Sequence, residues 1–175
     1  MKQGLIHVYM GDGKGKTTAA VGQCVRAAGA GLRVVFVQFM KGRKTSELNS
    51  LQRLENVKIL RSEKDFGFYA QMSEADRTEI TRIHNELIDQ VTDLVNEGNC
   101  DLVILDELTY PYEWNLIKWE SVEELVCHKP EQLELIITGR NPAPIMLEHA
   151  DYITEMKMIR HPYGQGIAAR EGIEF

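Results

Sequence analysis

The 175-residue sequence offers little that could staple the chain or anchor it. Its three cysteines, Cys24, Cys100 and Cys127, form no C-x-x-C pair, and an odd number cannot complete a disulfide framework, so they read as buried thiols of a reducing compartment. Five histidines (His7, His84, His128, His149 and His161) show no H-E-x-x-H or other ligand spacing, which argues against a zinc site. No apolar run approaches the roughly 18–20 residues needed to span a bilayer. The stretch from Met1 to Val8 lacks the basic region, long apolar core and small-residue cleavage site of a secretory signal, so the expected compartment is the cytoplasm. Basic charge is also in deficit. With 20 Lys and Arg against 26 Asp and Glu the net charge is −6, and the basic stripe that a nucleic-acid backbone demands is missing.

What is present is the composition of a globular domain, 43% hydrophobic and 26% charged, in a length that suits one core: a single domain over residues 1–175. Four short, nearly continuous apolar runs read as strands covered on both faces: Leu5 to Tyr9, Val34 to Phe39, Leu102 to Leu105 and Leu133 to Thr138. Helical patterns lie between them. Lys16 to Ala30 is rich in Ala and Val; Ser121 to Cys127 is short and stops near Pro130. The longest, Ser73 to Glu97, begins with a capping-box pair, Ser73 and Asp76, carries Ile80, Ile83, Leu87, Val91, Leu94 and Val95 at helical spacing, and is closed by Gly98. Strands alternating with helices predict an α/β, three-layer fold with a mostly parallel sheet between helices. In such sheets the site lies beyond the carboxyl ends of the strands, where the chain's chemistry-bearing residues fall: the glycine loop, Gln38 to Lys41, Asp106-Glu107 and Gly139-Arg140-Asn141.

The stretch "VYMGDGKGKTTAA", Val8 to Ala20, looks like a phosphate-binding loop with one residue missing. Counting back from Gly15-Lys16-Thr17, the pattern G-x-x-x-x-G-K-[ST] puts Met10 where its first glycine belongs, and Gly11 sits one residue too close. Gly11, Gly13 and Gly15 between a strand and a helix allow backbone N–H groups to form a concave nest, to which the helix adds its positive end. Lys16 would reach phosphate oxygens and Thr17 would offer its hydroxyl to Mg²⁺. "LVILDE" places Asp106 and Glu107 at the end of an apolar strand, the usual place for carboxylates that hold Mg²⁺ directly or through water; Glu107 could instead activate a water. "EKDFGFYAQ" holds Phe66 and Phe68 two residues apart, so an extended segment would project both rings to one side, where core packing is their default role.

Together "GDGKGKTTAA", "VVFVQFMKG", "LVILDELTY", "IITGRN" and the final "GIEF" resemble the P-loop corrinoid adenosyltransferases, over a span from about Leu5 to Phe175. The short loop is itself a feature of that family, whereas Asp12 stands where its members usually have Asn. The resemblance implies a RecA-like fold and a reaction between ATP and a corrinoid in which the whole triphosphate leaves. It implies nucleotide binding by Gly11, Asp12, Gly13, Lys14, Gly15, Lys16, Thr17, Thr18 and Arg140, and Mg²⁺ (or Mn²⁺) at Thr17, Asp106 and Glu107. It also gives Phe66 and Phe68 a role: aromatic rings that displace the axial ligand of Co(II), with Tyr69 taking the place of Phe68 if the alignment slips by one. A homodimer and a reducing flavoprotein partner are implied as well. Members carry an extension ahead of the first strand that folds over the site; only about four residues precede it here, so another segment would cover the corrinoid or the lid is dispensable.

Two other classes remain compatible with the loop and the acidic pair. One is a P-loop ATPase or small-molecule kinase, which would usually show an Arg-rich lid, whereas only isolated arginines such as Arg43 and Arg140 occur. The other is a nucleotide-binding or corrinoid-carrier protein without turnover.

Overall fold

The computed structural model describes residues 3–175. Six parallel strands form one sheet: β1 (Ile6–Met10), β2 (Val34–Gln38), β3 (Val57–Arg61), β4 (Leu102–Asp106), β5 (Glu134–Thr138) and β6 (Tyr152–Glu155), in the order β3-β2-β4-β5-β1-β6. The helices are α1 (Lys16–Gly29), α2 (Ser46–Leu51), α3 (Glu74–Asn96), α4 (Thr109–Glu113), α5 (Trp119–His128) and α6 (Pro144–Glu148). This is the α/β arrangement expected from the alternation of patterns, and it is consistent with a RecA-like P-loop fold.

The strands read as continuous apolar runs because both sheet faces are covered. Val34 and Phe36 of β2, Leu102 and Ile104 of β4 and Ile136 of β5 pack with Ala20, Cys24, Ala27 and Ala28 of α1. Their alternate neighbours, Val35, Val37, Val103, Leu105, Leu135 and Ile137, pack on the opposite face with Leu87, Ile88, Val91 and Val95 of α3 and Val122, Leu125 and Val126 of α5. Each fully buried aliphatic side chain contributes roughly 1.5–3 kcal/mol, and the unbroken burial of β2 and β4 puts these strands at the centre of the core. The small residues of α1 have a geometric consequence. They let its axis approach the sheet, and its first turn meets the end of β4, where Thr17 bonds Asp106.

The capping box of α3 is present, with Ser73 Oγ accepting from the Asp76 N–H and the Asp76 carboxylate from the Ser73 N–H. Two edge strands escape the sequence pattern. β3 buries only Leu60 fully, and all of β6 is exposed, so neither has the doubly buried signature of the centre.

His84 shows how α3 is tied to the loop after β2. Its ring is 1% exposed, lies edge-on to Phe39, bonds the Leu116 carbonyl through Nδ1 at 3.0 Å and faces the Met40 N–H through Nε2 at 3.4 Å. The first contact makes Nδ1 the donor and leaves Nε2 as acceptor. Burial pushes its pKa down to about 4, with the Leu116 carbonyl acting the other way. The unfolded chain, with an imidazole near 6.5, therefore binds a proton that the folded protein refuses. Stability from this residue is complete above about pH 6.5 and is lost as pH falls toward about 4. Thermal melts across that window should show a steeper fall for the wild type than for His84→Gln, which carries no titrating ring; parallel curves would assign the acid sensitivity to other groups.

Candidate active site

The order of the sheet separates β1, which leads into the glycine loop, from β4, which ends in the acidic pair, by the single strand β5. Thr138 at the end of β5 bridges that gap. Its hydroxyl donates to Asp106 Oδ1 at 2.7 Å and accepts from the Glu107 N–H at 2.9 Å. From the other side Thr17, in the first turn of α1, donates to the same Asp106 oxygen at 2.9 Å. Asp106 is completely buried, and its second oxygen accepts from Lys41 Nζ at 2.7 Å. Thus α1, β5, β4 and the loop after β2 converge on one carboxylate.

The backbone is strained around this point. Met40 and Glu107, just beyond the ends of β2 and β4, have φ of 56° and 62°, a region that residues other than glycine adopt uncommonly. For Glu107 the left-handed conformation ends the strand at once and leaves the carboxylate within 3.6 Å of Lys41. Burial pushes the Glu107 carboxyl above the usual range, against the pull of Lys41. Burial is also the largest influence on Lys41 and lowers its pKa, but Asp106 and Glu107 outweigh it and the net shift is upward. Asp106, Glu107 and Lys41 therefore form a charged cluster held in place by two hydroxyls.

The glycine loop is shaped differently from the simple nest. The N–H of Gly11 bonds the Arg140 carbonyl at 3.3 Å and that of Gly13 bonds the Met156 carbonyl at 2.6 Å, so both point to protein. A side chain at either position would meet the Met156 carbonyl at 2.6 and 2.5 Å; glycine is needed here for close approach to the end of β6. Unpaired donors remain at the start of α1, where Lys16, Thr17 and Thr18 have N–H groups without an intrahelical partner and Gly15 supplies no side-chain cap. Lys16 Nζ is folded back on the Gly11 and Gly13 carbonyls at 2.6 and 2.8 Å. Its pKa is lowered, first by burial and then by the nearby Arg140 guanidinium.

The remaining loop side chains turn outward. Asp12 accepts from the Met158 N–H at 3.0 Å, and Lys14 pairs with Glu174 at 3.0 Å. Both bind the C-terminal segment in this structure, and the Asp12 charge that the sequence places near phosphates is directed to a backbone amide. That segment returns over the loop, with the Phe175 carbonyl accepting from Ser46 Oγ at 3.0 Å. It forms one wall of a cavity of about 950 Å³ that opens onto Thr17, Lys41 and Glu107. Phe68, Tyr69, Tyr110 and Trp114 also line it, with Tyr69 and Trp114 stacked at 4.3 Å and 12°.

Phe66 and Phe68 do not share one side. Gly67 between them has φ of 68°, which breaks the extended geometry assumed from their spacing. Phe66 packs against Met72, Ile80 and Leu116 with Lys64 over its ring, whereas Phe68 is 70% exposed and faces the cavity. Arg140 is exposed, and its carbonyl holds the loop. Gly139 beside it has φ of 155°, and a Cβ there would lie 1.8 Å from the buried hydroxyl of Thr109. Gly139→Ala should destabilise the fold by on the order of 3 kcal/mol, combining overpacking with backbone strain. An unchanged melting temperature would show that α4 moves aside freely.

Comparison with known proteins decides the family. The sequence model of the ATP:corrinoid adenosyltransferases BtuR/CobO/CobP matches residues 2–175. The corrinoid adenosyltransferase of Escherichia coli (strain K12) is 33% identical over 174 residues, covering 99% of this chain and 87% of that protein. The corrinoid adenosyltransferase CobA of Salmonella typhimurium is 32% identical with the same coverage. This chain belongs to the ATP:corrinoid adenosyltransferase family. Among solved structures, the cytoplasmic domain of EssC superposes with a TM-score of 0.58 at 16% identity, covering 95% of this chain and about a third (34%) of the other, a likeness of fold alone.

As a member of this family, the chain brings together Thr17, Asp106 and Glu107 as the sequence predicts, with Lys16 and Thr18 at the same helix start. Sequence reasoning placed Gln38 to Lys41 at the edge that carries the glycine loop and the acidic pair but gave Lys41 no role, and it gave Tyr110, Trp114 and the C-terminal wall no place around the cavity. The available signal for Lys41 was its position directly after a buried strand, at the same edge as the acidic pair. Trp114 gave none, and the final "GIEF" gave only its family likeness, since their place depends on how distant segments return.

Proposed function

We infer that this chain transfers the 5′-adenosyl group of ATP to the Co(I) centre of a corrinoid, releasing triphosphate, in adenosylcobalamin formation or salvage. The observation that carries this reading is the junction of the helix start at Lys16–Thr18 and the Asp106 cluster with an aromatic-walled cavity, in a chain of this family. In the reaction, cobalt supplies the electron pair of the new Co–C bond, the C5′–O bond breaks, and the triphosphate leaves with that bond's electrons; cobalt passes from Co(I) to Co(III). No general base is required. The chain's work is to hold the triphosphate, direct C5′ at the cobalt and keep water from a strong reductant.

Lys16 would leave the Gly11 and Gly13 carbonyls for phosphate oxygens, joined by the N–H groups at the start of α1. Thr17, Asp106 and Glu107 offer hard oxygen donors suited to Mg²⁺ or Mn²⁺, and would hold it. When bound, the cation neutralises charge on the leaving triphosphate. The exposed face of Phe68 suits contact with a corrin ring, and displacement of the axial ligand of Co(II) is the role we assign to it. The C-terminal segment, which lines the cavity, would cover the bound corrinoid. A homodimer, a reducing flavoprotein and a cytoplasmic site of action complete the reading. Among the described residues no helix is long and apolar enough to cross a membrane.

Product analysis tests it directly. Anaerobic incubation with Mg²⁺-ATP and chemically reduced corrinoid should yield a photolabile Co–C product and intact triphosphate. ADP and phosphate would instead indicate an ATPase or kinase.

A further inference from the structure

Lys41 occupies the centre of the oxygen donors just assigned to a cation. Its ammonium lies 2.7 Å from Asp106 Oδ2, 3.1 Å from Thr17 Oγ1 and 3.6 Å from Glu107 Oε1, and its side chain is 19% exposed. The placement is built into the fold. Met40, with its left-handed backbone and its N–H toward His84, delivers the residue, and Arg61 of β3 clamps the loop by donating to the carbonyls of Lys41 and Arg43. Among the described residues there is no group of three or more His, Cys, Asp and Glu side chains that could hold a metal. A divalent cation at Thr17, Asp106 and Glu107 therefore needs phosphate or water oxygens to complete its coordination, and it must displace a positive charge from the same oxygens.

We propose that Lys41 is a positioning residue that keeps the cation place filled in the nucleotide-free protein and moves its ammonium onto the triphosphate when metal and nucleotide arrive together. The triphosphate solves both problems at once. It brings oxygen ligands to the metal and an anionic partner to the displaced ammonium, whereas a free divalent cation would leave that ammonium without its counter-ions in a largely buried position. The consequence is an ordered site that refuses free divalent cation and accepts it with ATP. This rests on the reading that metal and triphosphate bind at the start of α1.

The test measures Mn²⁺ binding by the electron paramagnetic resonance signal of the free ion, with wild type, Lys41→Met and Lys41→Gln, without corrinoid. Lys41→Met keeps the apolar stem, and Lys41→Gln also keeps an N–H donor for Asp106. Without nucleotide, both variants should bind Mn²⁺ about tenfold or more tightly than the wild type, and Mn²⁺ alone should raise their melting temperatures but not that of the wild type. With ATP present, both should bind the Mn²⁺ complex about tenfold more weakly than the wild type, having lost the ammonium that follows the phosphates. Equal Mn²⁺ affinity of wild type and variants without nucleotide would overturn the proposal, as would unimpaired Mn²⁺-ATP binding by the variants. Failure of the wild type to bind Mn²⁺-ATP at all would instead remove the site reading beneath it.

Discussion

Replacing Lys16 with alanine is expected to lower adenosyl transfer by roughly 10²-fold or more, the loss typical of removing one preorganised electrostatic donor. In free-energy terms that is about 2.7 kcal/mol of transition-state stabilisation. The magnitude follows from where charge develops. As the C5′–O bond breaks, the bridging oxygen adds its charge to an already anionic triphosphate, and Lys16 is the cation in the first turn of the helix that faces it. Its structural role is slight. The ammonium bonds only the Gly11 and Gly13 carbonyls, on a loop independently held by Arg140 and Met156, so the variant should melt near the wild-type temperature. Near-normal turnover at saturating ATP would count against the loop as the triphosphate site.

The paired variants Phe66→Ala and Phe68→Ala should separate packing from contact with substrate. Truncating a fully buried Phe costs about 3–5 kcal/mol. Phe66 is half-buried against Met72, Ile80 and Leu116, so its loss should lower stability by a part of that and reduce every activity together. Phe68, at 70% exposure, has little packing to lose. Phe68→Ala should keep its melting temperature and ATP binding, and fail mainly in the reaction that starts from Co(II). Given chemically pre-reduced Co(I), it should recover most of its rate, because no axial ligand then needs displacing. Four-coordinate Co(II), visible by electron paramagnetic resonance in the wild type with Mg²⁺-ATP, should be missing from the variant. Equal losses from Co(II) and Co(I) together with a large fall in melting temperature would return Phe68 to an ordinary packing role.

These two predictions also mark where the sequence could be read and where it could not. Lys16, Thr17, Asp106 and Glu107 could be singled out because each follows an apolar strand at short range, and in a parallel sheet the ends of such strands meet at one edge. Phe66 and Phe68 were only half legible. Spacing of two implies a shared side in extended backbone, and the positive φ of Gly67 removed that premise.

The central strands, α1, α3 and its capping box, and the edge of the sheet that bears the chemistry were determined by the sequence itself, since local periodicity and turn chemistry suffice to specify them. The edge strands β3 and β6 were decided by tertiary structure, because β3 has one fully buried residue and β6 none, so neither carries a continuous apolar run or a clean alternation. So were the turning of Asp12 and Lys14 to the C-terminal segment, the use of Gly11 and Gly13 for close approach to Met156, and the seating of Lys41 among Thr17, Asp106 and Glu107. Each of these depends on segments 24 or more residues apart being brought within hydrogen-bonding reach, as Lys41 and Thr17 are. No local signal encodes such an encounter; it exists only once the sheet order and the return of the chain over the loop have set the distances.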